Sequence, residues 1–479
     1  MLYSFTVDSL PYILCAYIYY LGLGWTESYV IVSQVLRGLV DFVLKGVIGD
    51  VIDRTTIDRR IFLGVSAAAI GVSSLMVFFV NGTDTFDLIL VNGIRMLESV
   101  AIAFLGPTFA AITLAAFGPE MFDDMNVRKE IVSHAGAIIS SALSAVMAWF
   151  LYPNIESVFV LPIVFAISSV FFVQYIPKGD PLMGRGFHGK TEQRDESGAV
   201  IDTHKDEPPP VASAYRDVFL DKRILAMIVA DVFHVIAEAN VGLIFNETLA
   251  GVGSFQDDRN ADDDVTDDDN IMSRSAIPYL AGAGSAAQVT MILGTMLVGW
   301  LTNKGMGRKP FYILHLCVHP IRVLLILACF RFGGGQLALA STELVGGLTG
   351  AFGIVNAFMR ADILFGSGRF NVVDGVQATI RGIAGTSSQL IGAWILQTNG
   401  PTIALMISFV ISVIPPIVGY IWVPETLGMR QIDFQEEKIE EKRIKLMKTL
   451  SEEEQQEYEL MPEREHIEKL EANYGAVQS

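Results

Sequence analysis

Charge is scarce in this sequence. Asp, Glu, Lys and Arg make up 18% of its 479 residues, against 51% hydrophobic residues and a mean hydropathy of +0.44. An ordinary soluble domain carries about 25% charge and cannot hide that much apolar surface, which excludes a globular soluble class. Cysteine is equally sparse. Cys15, Cys317 and Cys329 all fall inside apolar runs, so a disulfide framework is not expected and each reads as a small core residue. No Cys/His spacing of the zinc type occurs, and no G-x-x-x-x-G-K-[ST] loop, so neither a metal enzyme nor ATP-driven chemistry has support and no cofactor is expected. The net charge of −18 sits mostly in one acidic loop and the tails, and no nucleic-acid partner is expected. The first apolar run lacks a basic start and a small-residue cleavage site, so no cleavable signal peptide is expected.

What the chain has in quantity is apolar runs. A helix of roughly 20 apolar residues crosses a ~30 Å hydrocarbon core. Twelve such runs are read, near 5–23, 29–48, 61–80, 88–115, 131–151, 158–176, 223–245, 276–301, 311–332, 337–364, 376–397 and 402–422. The expected architecture is an all-α integral membrane protein of two six-helix bundles, 1–176 and 223–423. A linker at 177–222 joins them, an acidic outer loop occupies 246–275, and a polar tail runs from 424 to 479.

Short loops divide by Lys and Arg content. Those holding Arg54/Arg59/Arg60, Arg128/Lys129, Lys304/Arg308/Lys309 and Arg369 alternate with loops at 24–28, 81–87, 152–157 and 398–401 that hold none. The positive-inside rule then puts both termini in the cytoplasm. Glycosylation sequons at Asn81-Gly-Thr83 and Asn246-Glu-Thr248 fall on the opposite face, as in a plasma membrane or endomembrane protein of the secretory pathway. The acidic stretch 255–270 follows calcium-loop spacing only loosely, with Asp263 where an EF-hand needs Gly, and reads as a flexible acidic loop. In the tail, Ser451-Glu-Glu-Glu454 is a capping box, on a solvated helix or a partner-binding segment.

Two loops repeat one pattern at matching places in the two halves. The first is Gly49-Asp-Val-Ile-Asp53-Arg54 followed by Asp58-Arg59-Arg60. The second is Gly299-Trp-Leu-Thr-Asn303-Lys304 followed by Gly307-Arg308-Lys309. Gly49 and Gly299 permit close helix approach, Asp53 can cap a helix end, and the basic residues can reach carboxylates or helix C-termini. Such clusters form in one state and break in another, which makes them gates, and duplication in two hydrophobic halves points to a transporter.

An ionisable side chain within a span is costly unless paired or facing an aqueous cavity, so each is a candidate. Arg37, Asp41 and Lys45 form an i, i+4, i+8 stripe that can neutralise itself. Arg95 and Glu98 are spaced to pair. Asp231, His234 and Glu238, with Asn240 nearby, give the seventh span a stripe able to carry protons or bind a cationic or hydroxylated solute. Gln288, His134, Asn356, Arg360, Asp362, Gln377, Arg381 and Trp394 add polar or aromatic candidates. His315 and His319 read as structural.

On these residues the chain resembles the major facilitator superfamily. The repeated loops are similar to its G-x-x-x-D-R/K-x-G-R-R/K signature, although each copy carries one extra residue, the first lacks the inner Gly, and Asn303 replaces Asp. Arg95 looks like the family's buried fourth-helix arginine, and Pro424-Glu-Thr-Leu-Gly428 resembles the sugar-porter P-E-T-x-G ending. Gln34-Val-Leu-Arg37-Gly38 and Val372-Val-Asp-Gly375 with Ile380-Arg381-Gly382 are most similar to the tetracycline-resistance and hippocampus-abundant-transcript-like branch. The helix-five G-P-x-x-G-G signature is absent, Ala135-Gly136-Ala137 standing there. A second resemblance, to ferroportin, rests on Ile48-Gly49-Asp50, Asp374-Gly375-Val376-Gln377 and Thr426-Leu427-Gly428. It would make Asp8 a metal ligand, but Tyr12 stands where that family has one histidine, and the position of its late-helix histidine falls near Ser388.

The resemblance implies a twelve-helix secondary transporter, not an enzyme, with a small-molecule solute bound between the bundles and a proton or ion gradient as driving force. Arg95, Glu98, Asp231, His234, Glu238, Asn240, Gln288, Gln377 and Arg381 are the expected substrate and coupling residues. Two alternatives remain open at this level: a ferroportin-like exporter of divalent metal, and a non-transporting receptor or scaffold whose output is the tail.

Overall fold

The computed structural model describes residues 25, 27–55, 57–151, 155–187, 193–194, 200–201, 212–250 and 277–427. The chain divides into a compact unit, Met1–Thr426, and the tail Leu427–Ser479. The run 5–23 with Asp8, Tyr12 and Cys15, the acidic stretch 255–270 and the Ser451 capping box lie outside the described residues.

Helix follows helix along the chain: α1 (Glu27–Arg54), α2 (Arg59–Val77), α3 (Thr85–Leu151), α4 (Val160–Phe172), a short α5 (Tyr215–Phe219), α6 (Lys222–Ala250), α7 (Ile277–Asn303), α8 (Lys309–Phe332), α9 (Gly335–Ser341), α10 (Glu343–Leu364), α11 (Phe370–Ser412) and α12 (Ile414–Trp422). Among the described residues the only strands are a two-residue antiparallel pair, Gln193–Arg194 with Val200–Ile201, between α4 and α5.

Two of these helices are too long for one crossing. At 1.5 Å per residue, 67 residues in α3 and 43 in α11 far exceed a ~30 Å core. Each breaks at a Gly-Pro step. Gly118 (φ 74°) precedes Pro119 and Gly400 (φ 78°) precedes Pro401. Glycine alone enters that region cheaply, and the following proline, which has no N–H to give, suits the first turn of the next helix. Counting the arms of α3 (85–117 and 119–151) and α11 (370–399 and 401–412) separately, eleven of the twelve expected spans coincide with described helical segments.

The first arm of α11 packs against α1 and α6, α7 against α10 and α3, and α2 against α3 and α4. Glycines set the closest approaches. A Cβ on Gly49 would strike the Asn371 carbonyl, one on Gly375 the Lys45 carbonyl, and one on Gly347 the Ala287 carbonyl. Helix association inside a bilayer gains from such backbone proximity, because lipid leaves little hydrophobic driving force between helices. The outward surface is apolar: Val43, Val47, Phe150, Ile167, Leu293, Trp394, Val410 and Ile421 are all exposed. Among the described residues, eight helices are long and apolar enough to cross a membrane. The chain is an all-α multi-pass membrane protein. The basic loops gather at one end of the helices, the basic end.

Candidate functional site

Two clusters of polar contacts join the helices at the basic end. In the first, α1 reaches α11. Asp53 (4% exposed) accepts hydrogen bonds from Asn371 Nδ2 (2.7 Å) and from the Val372 backbone N–H (2.8 Å). A carboxylate at the first turn satisfies an otherwise unpaired N–H and meets the positive end of the helix dipole. Gly49, one turn earlier, lets α1 come close enough for that contact. Arg54 pairs with Asp50 (2.8 Å), and buried Arg59 donates to the Pro181 carbonyl (3.0 Å). Arg60 pairs with Asp58 (2.6 Å) and donates to the Gln174 and Ile176 carbonyls, the C-terminal end of the sixth span. Asp58 caps α2, accepting from the Arg60 backbone N–H, and its bond to the Arg60 side chain holds its carboxyl below the usual carboxylate range. Asp221, beside α6, is lowered the same way by Arg223.

The second cluster is built on Arg308, 1% exposed. Its guanidinium pairs with Asp362 at the end of α10 and with Asp123 on the second arm of α3, and donates to the Phe358 carbonyl (3.2 Å). Thr426 Oγ1 donates to the same Asp362 (2.8 Å). Glu425 accepts from the backbone N–H groups of Arg308 (2.8 Å) and Lys309 (3.0 Å) and so caps α8. A Cβ on Gly299 would press on Val127 of α3, the counterpart of the Gly49 contact. Lys304 lies over the Trp300 ring (3.8 Å) and Lys309 over Tyr420, both away from the carboxylates. Asn303 makes no side-chain bond in this cluster among the described residues. The two copies thus make their contacts differently: Asp53 anchors the first and Arg308 the second.

The segment between α4 and α5 packs against the same end. Asp180 N donates to the Ala115 carbonyl, Asn371 Nδ2 to the Gly184 carbonyl, and Gly366 N to the Gly186 carbonyl. Tyr215, on α5, sits where three charges meet. Its hydroxyl donates to Asp50 and accepts from Arg54 (2.8 Å) and Arg369 (3.0 Å), with the Arg369 guanidinium 4.0 Å above its ring. Tyr215→Phe removes the hydroxyl and keeps the ring contact. One hydrogen bond to a charged group contributes about 1.5–3 kcal/mol, so a lowered thermal midpoint is the expected result; an unchanged midpoint would show that Asp50, Arg54 and Arg369 suffice without it.

Residues of α1, α6 and α11 border an open pocket of about 430 Å³. Lys45 (α1), Glu238 (α6) and Arg381 (α11) line it, with Val235, Ala239 and Ala378 among the apolar wall. Glu238 is 44% exposed into this space, and its Oε2 lies 3.5 Å from His234 Nε2. Behind His234 stand two more imidazoles, His315 and His319 of α8, with ring centroids at 4.7 and 5.0 Å. His315 Nδ1 lies 2.7 Å from the Thr349 carbonyl.

Asp231 does not share the cavity with Glu238. It accepts from Asn356 Nδ2 (3.1 Å) and from Gln377 Nε2, while Gln377 Oε1 accepts from Arg360 (2.9 Å), itself paired with Asp374 (2.7 Å). Asn240 donates to Ser408 Oγ (3.1 Å) and serves packing against the end of α11. Arg95 and Glu98, each 1% exposed, pair within α3 at 2.9 Å. Gln288 Oε1 lies 2.6 Å from His134 Nδ1, joining α7 to the second arm of α3. Trp394 is not on the cavity wall; it is 64% exposed on the outer surface. Of the Arg37–Asp41–Lys45 stripe, Lys45 reaches the cavity and the Asp41 side chain lies outside the described residues.

The sequons differ in setting. Asn81 is exposed in the turn after α2, whereas Asn246 lies within α6, where Thr248 is buried and donates to the Ile244 carbonyl (2.7 Å). Ser388 donates to the Ile236 carbonyl (2.5 Å). Among the described residues no three His, Cys, Asp or Glu side chains converge with the spacing a metal ion needs.

Sequence reasoning missed Asp123, Tyr215, the capping of α8 by Glu425 and the pairing of Arg360 with Asp374. His315 and His319, read as structural, are spaced i, i+4, which puts both rings on one face of α8 beside His234.

No protein-family model matches the chain. Two curated sequences from strains of Mycobacterium tuberculosis, each named an uncharacterized MFS-type transporter, are 24% identical to it over 385 residues, covering 80% of this chain and 81% of each relative. MFS abbreviates the major facilitator superfamily. The similarity supports that superfamily for this chain and reaches no particular branch of it.

Proposed function

We propose that this protein is a secondary active transporter that carries a small organic solute across a membrane by alternating access, driven by a proton or other ion gradient. One observation carries the reading: an ionisable cavity at mid-helix, lined by Glu238 and Arg381, above a basic end closed by separable polar contacts. Salt bridges and helix caps can be exchanged for water one set at a time, so these two clusters form a bistable closure rather than a permanent core. By the positive-inside rule the basic end faces the cytoplasm, which puts Asn81 on the side where glycosylation occurs.

Coupling falls to Glu238 and His234. Their 3.5 Å contact lets a proton on one change the charge that the other presents to the cavity. Asp231, held by Asn356 and Gln377, fixes the electrostatics behind them.

A single cavity cysteine tests the cycle. With the native cysteines replaced, Ala378→Cys in oriented vesicles is expected to react with a membrane-impermeant thiol reagent from both faces. Modification from one face only would identify a receptor or scaffold. Glu238→Gln is expected to abolish the pH dependence of switching between faces and to leave the melting temperature nearly unchanged. Intact pH dependence would remove Glu238 from the coupling path.

A further inference from the structure

We propose that His315 of α8 is a positioning residue for coupling: anchored on the Thr349 carbonyl of α10, its ring offers His234 a lone pair and so helps the His234–Glu238 pair hold a proton. The proposal rests on the transport reading and extends its coupling pair by one group.

Burial makes the direction of each hydrogen bond matter here. His234, His315 and His319 are 4%, 9% and 0% exposed, and the His234 ring packs on the other two at centroid distances of 4.7 and 5.0 Å. Where water is scarce, a ring nitrogen needs a partner of the right kind, a donor for a lone pair or an acceptor for an N–H. The charged groups acting on these rings are Glu238 and Asp231 on α6, Arg322 on α8 and Arg381 on α11. Asp231 is held by Asn356 and Gln377, and Arg322 by Glu343 of α10. Tyr312 stands 6.5 Å from the His315 ring, Lys45 of α1 borders the same pocket as Glu238, and α12 brings no charged side chain. Glu238 touches the cluster itself, its Oε2 lying 3.5 Å from His234 Nε2.

The far end of the cluster sets the direction. A carbonyl oxygen only accepts, and that of Thr349 lies 2.7 Å from His315 Nδ1, so Nδ1 carries the hydrogen and Nε2 of the neutral ring is an acceptor. At the observed ring separation, a side-chain rotation brings that lone pair within hydrogen-bond reach of His234. It is satisfied by a hydrogen on His234 Nδ1, which is buried and meets no hydrogen-bond partner among the described residues. With Nδ1 protonated, His234 Nε2 either accepts from a protonated Glu238 or, in an imidazolium, donates to an ionised one. Both arrangements hold the same number of protons. With one proton fewer, neutral His234 turns its single hydrogen to the Glu238 carboxylate, and two buried lone pairs are left between the rings. His315 therefore weights the pair towards its proton-loaded form, and a single run of hydrogen bonds joins the pocket to the backbone of α10.

Nitrogen NMR of the full chain, purified in detergent with isotope-labelled histidine, tests this without a substrate, because ring shifts separate N–H from lone-pair nitrogens. Signals are assigned by replacing one histidine at a time. His315 is expected to carry its hydrogen on Nδ1 throughout, and His234 to gain one on Nδ1 as the pair loads. His315→Leu should move the midpoint of the His234 change about one unit to lower pH, a tenfold loss of proton affinity. His315→Gln, whose amide can donate to Thr349 and accept from His234, should restore most of it. The pH dependence of Ala378→Cys labelling should move in step. A merely structural His315 would lower the melting temperature in both variants and leave the midpoint in place. A lone pair on His315 Nδ1, a His234 ring unchanged from about pH 5 to 8, or a midpoint that answers to His319→Leu and not to His315→Leu overturns the proposal. Two-sided labelling with an unmoved midpoint would leave the transport reading standing while this one fails; one-sided labelling with the shifted midpoint would do the reverse.

Discussion

Replacing Arg308 with Ala is expected to cost about 3–5 kcal/mol and to be the most damaging single change at the basic end, because it strands buried carboxylates. Arg308 is 1% exposed, Asp362 2%, and the Asp123 side chain 18%. Three helical elements meet on that one guanidinium: the start of α8, the end of α10 and the second arm of α3. Removing it takes the guanidinium away from Asp362, which keeps the hydrogen bond from Thr426, in a place where a carboxylate is poorly solvated. Arg308→Lys should recover only part of the loss, since one ammonium cannot span two carboxylates and a backbone carbonyl in the fork geometry. The cause is separable from general disruption. Combining Arg308→Ala with Asp362→Asn should be less destabilising than Arg308→Ala alone, because the stranded charge is gone. The readout is thermal unfolding of detergent-purified protein; a melting temperature for Arg308→Ala equal to the parent's would show that the cluster closes nothing.

How much of this was legible in the sequence follows from the range of the forces involved. Span positions depend on local composition, and runs such as 61–80 and 311–332 coincide with α2 and α8. The breaks at Gly118-Pro119 and Gly400-Pro401 are local as well, since a glycine with positive φ before a proline ends a helix whatever surrounds it. Contacts between elements far apart in the chain were not legible. Asp123 is an unremarkable acidic residue until α3 and α7 pack and bring Arg308 to it. Glu425 stood out within Pro424-Glu-Thr-Leu-Gly428, yet its work as the cap of α8 needs the fold. The segment 177–187 reads as a polar connection, and only packing shows the Gly184 and Gly186 carbonyls accepting from Asn371 and Gly366. Among the seventh-span residues, spacing put Asp231, His234 and Glu238 on one face. Neighbouring helices then divided them, giving Asp231 to amides, His234 to imidazoles and Glu238 to the cavity.

The other large effect is expected at Gly49, and it acts on the balance of states more than on the fold. A side chain on Gly49 would drive its Cβ into the Asn371 carbonyl, at the start of α11. That neighbour is backbone, fixed by the Asp53 cap at Asn371 and Val372, so it cannot rotate aside as a side chain would. Overpacking of this kind costs about 1–3 kcal/mol, and the cost applies only where α1 and α11 touch, that is, with the basic end closed. A protein that separates these helices in the other half of its cycle would escape the clash. Gly49→Val should therefore shift the population about 10- to 100-fold towards a state open at the basic end, since each 1.4 kcal/mol is a factor of ten. Ala378→Cys reads this shift directly: labelling from the basic side should accelerate and labelling from the opposite side should slow. Asp53→Asn, which keeps the contact sterically and weakens only the charged cap, should move the same rates in the same direction by a smaller factor of about five, for a loss near 1 kcal/mol. Equal acceleration from both sides would mean that Gly49→Val loosens the whole bundle. Slower labelling from the basic side would mean that the α1–α11 contact is not the closure.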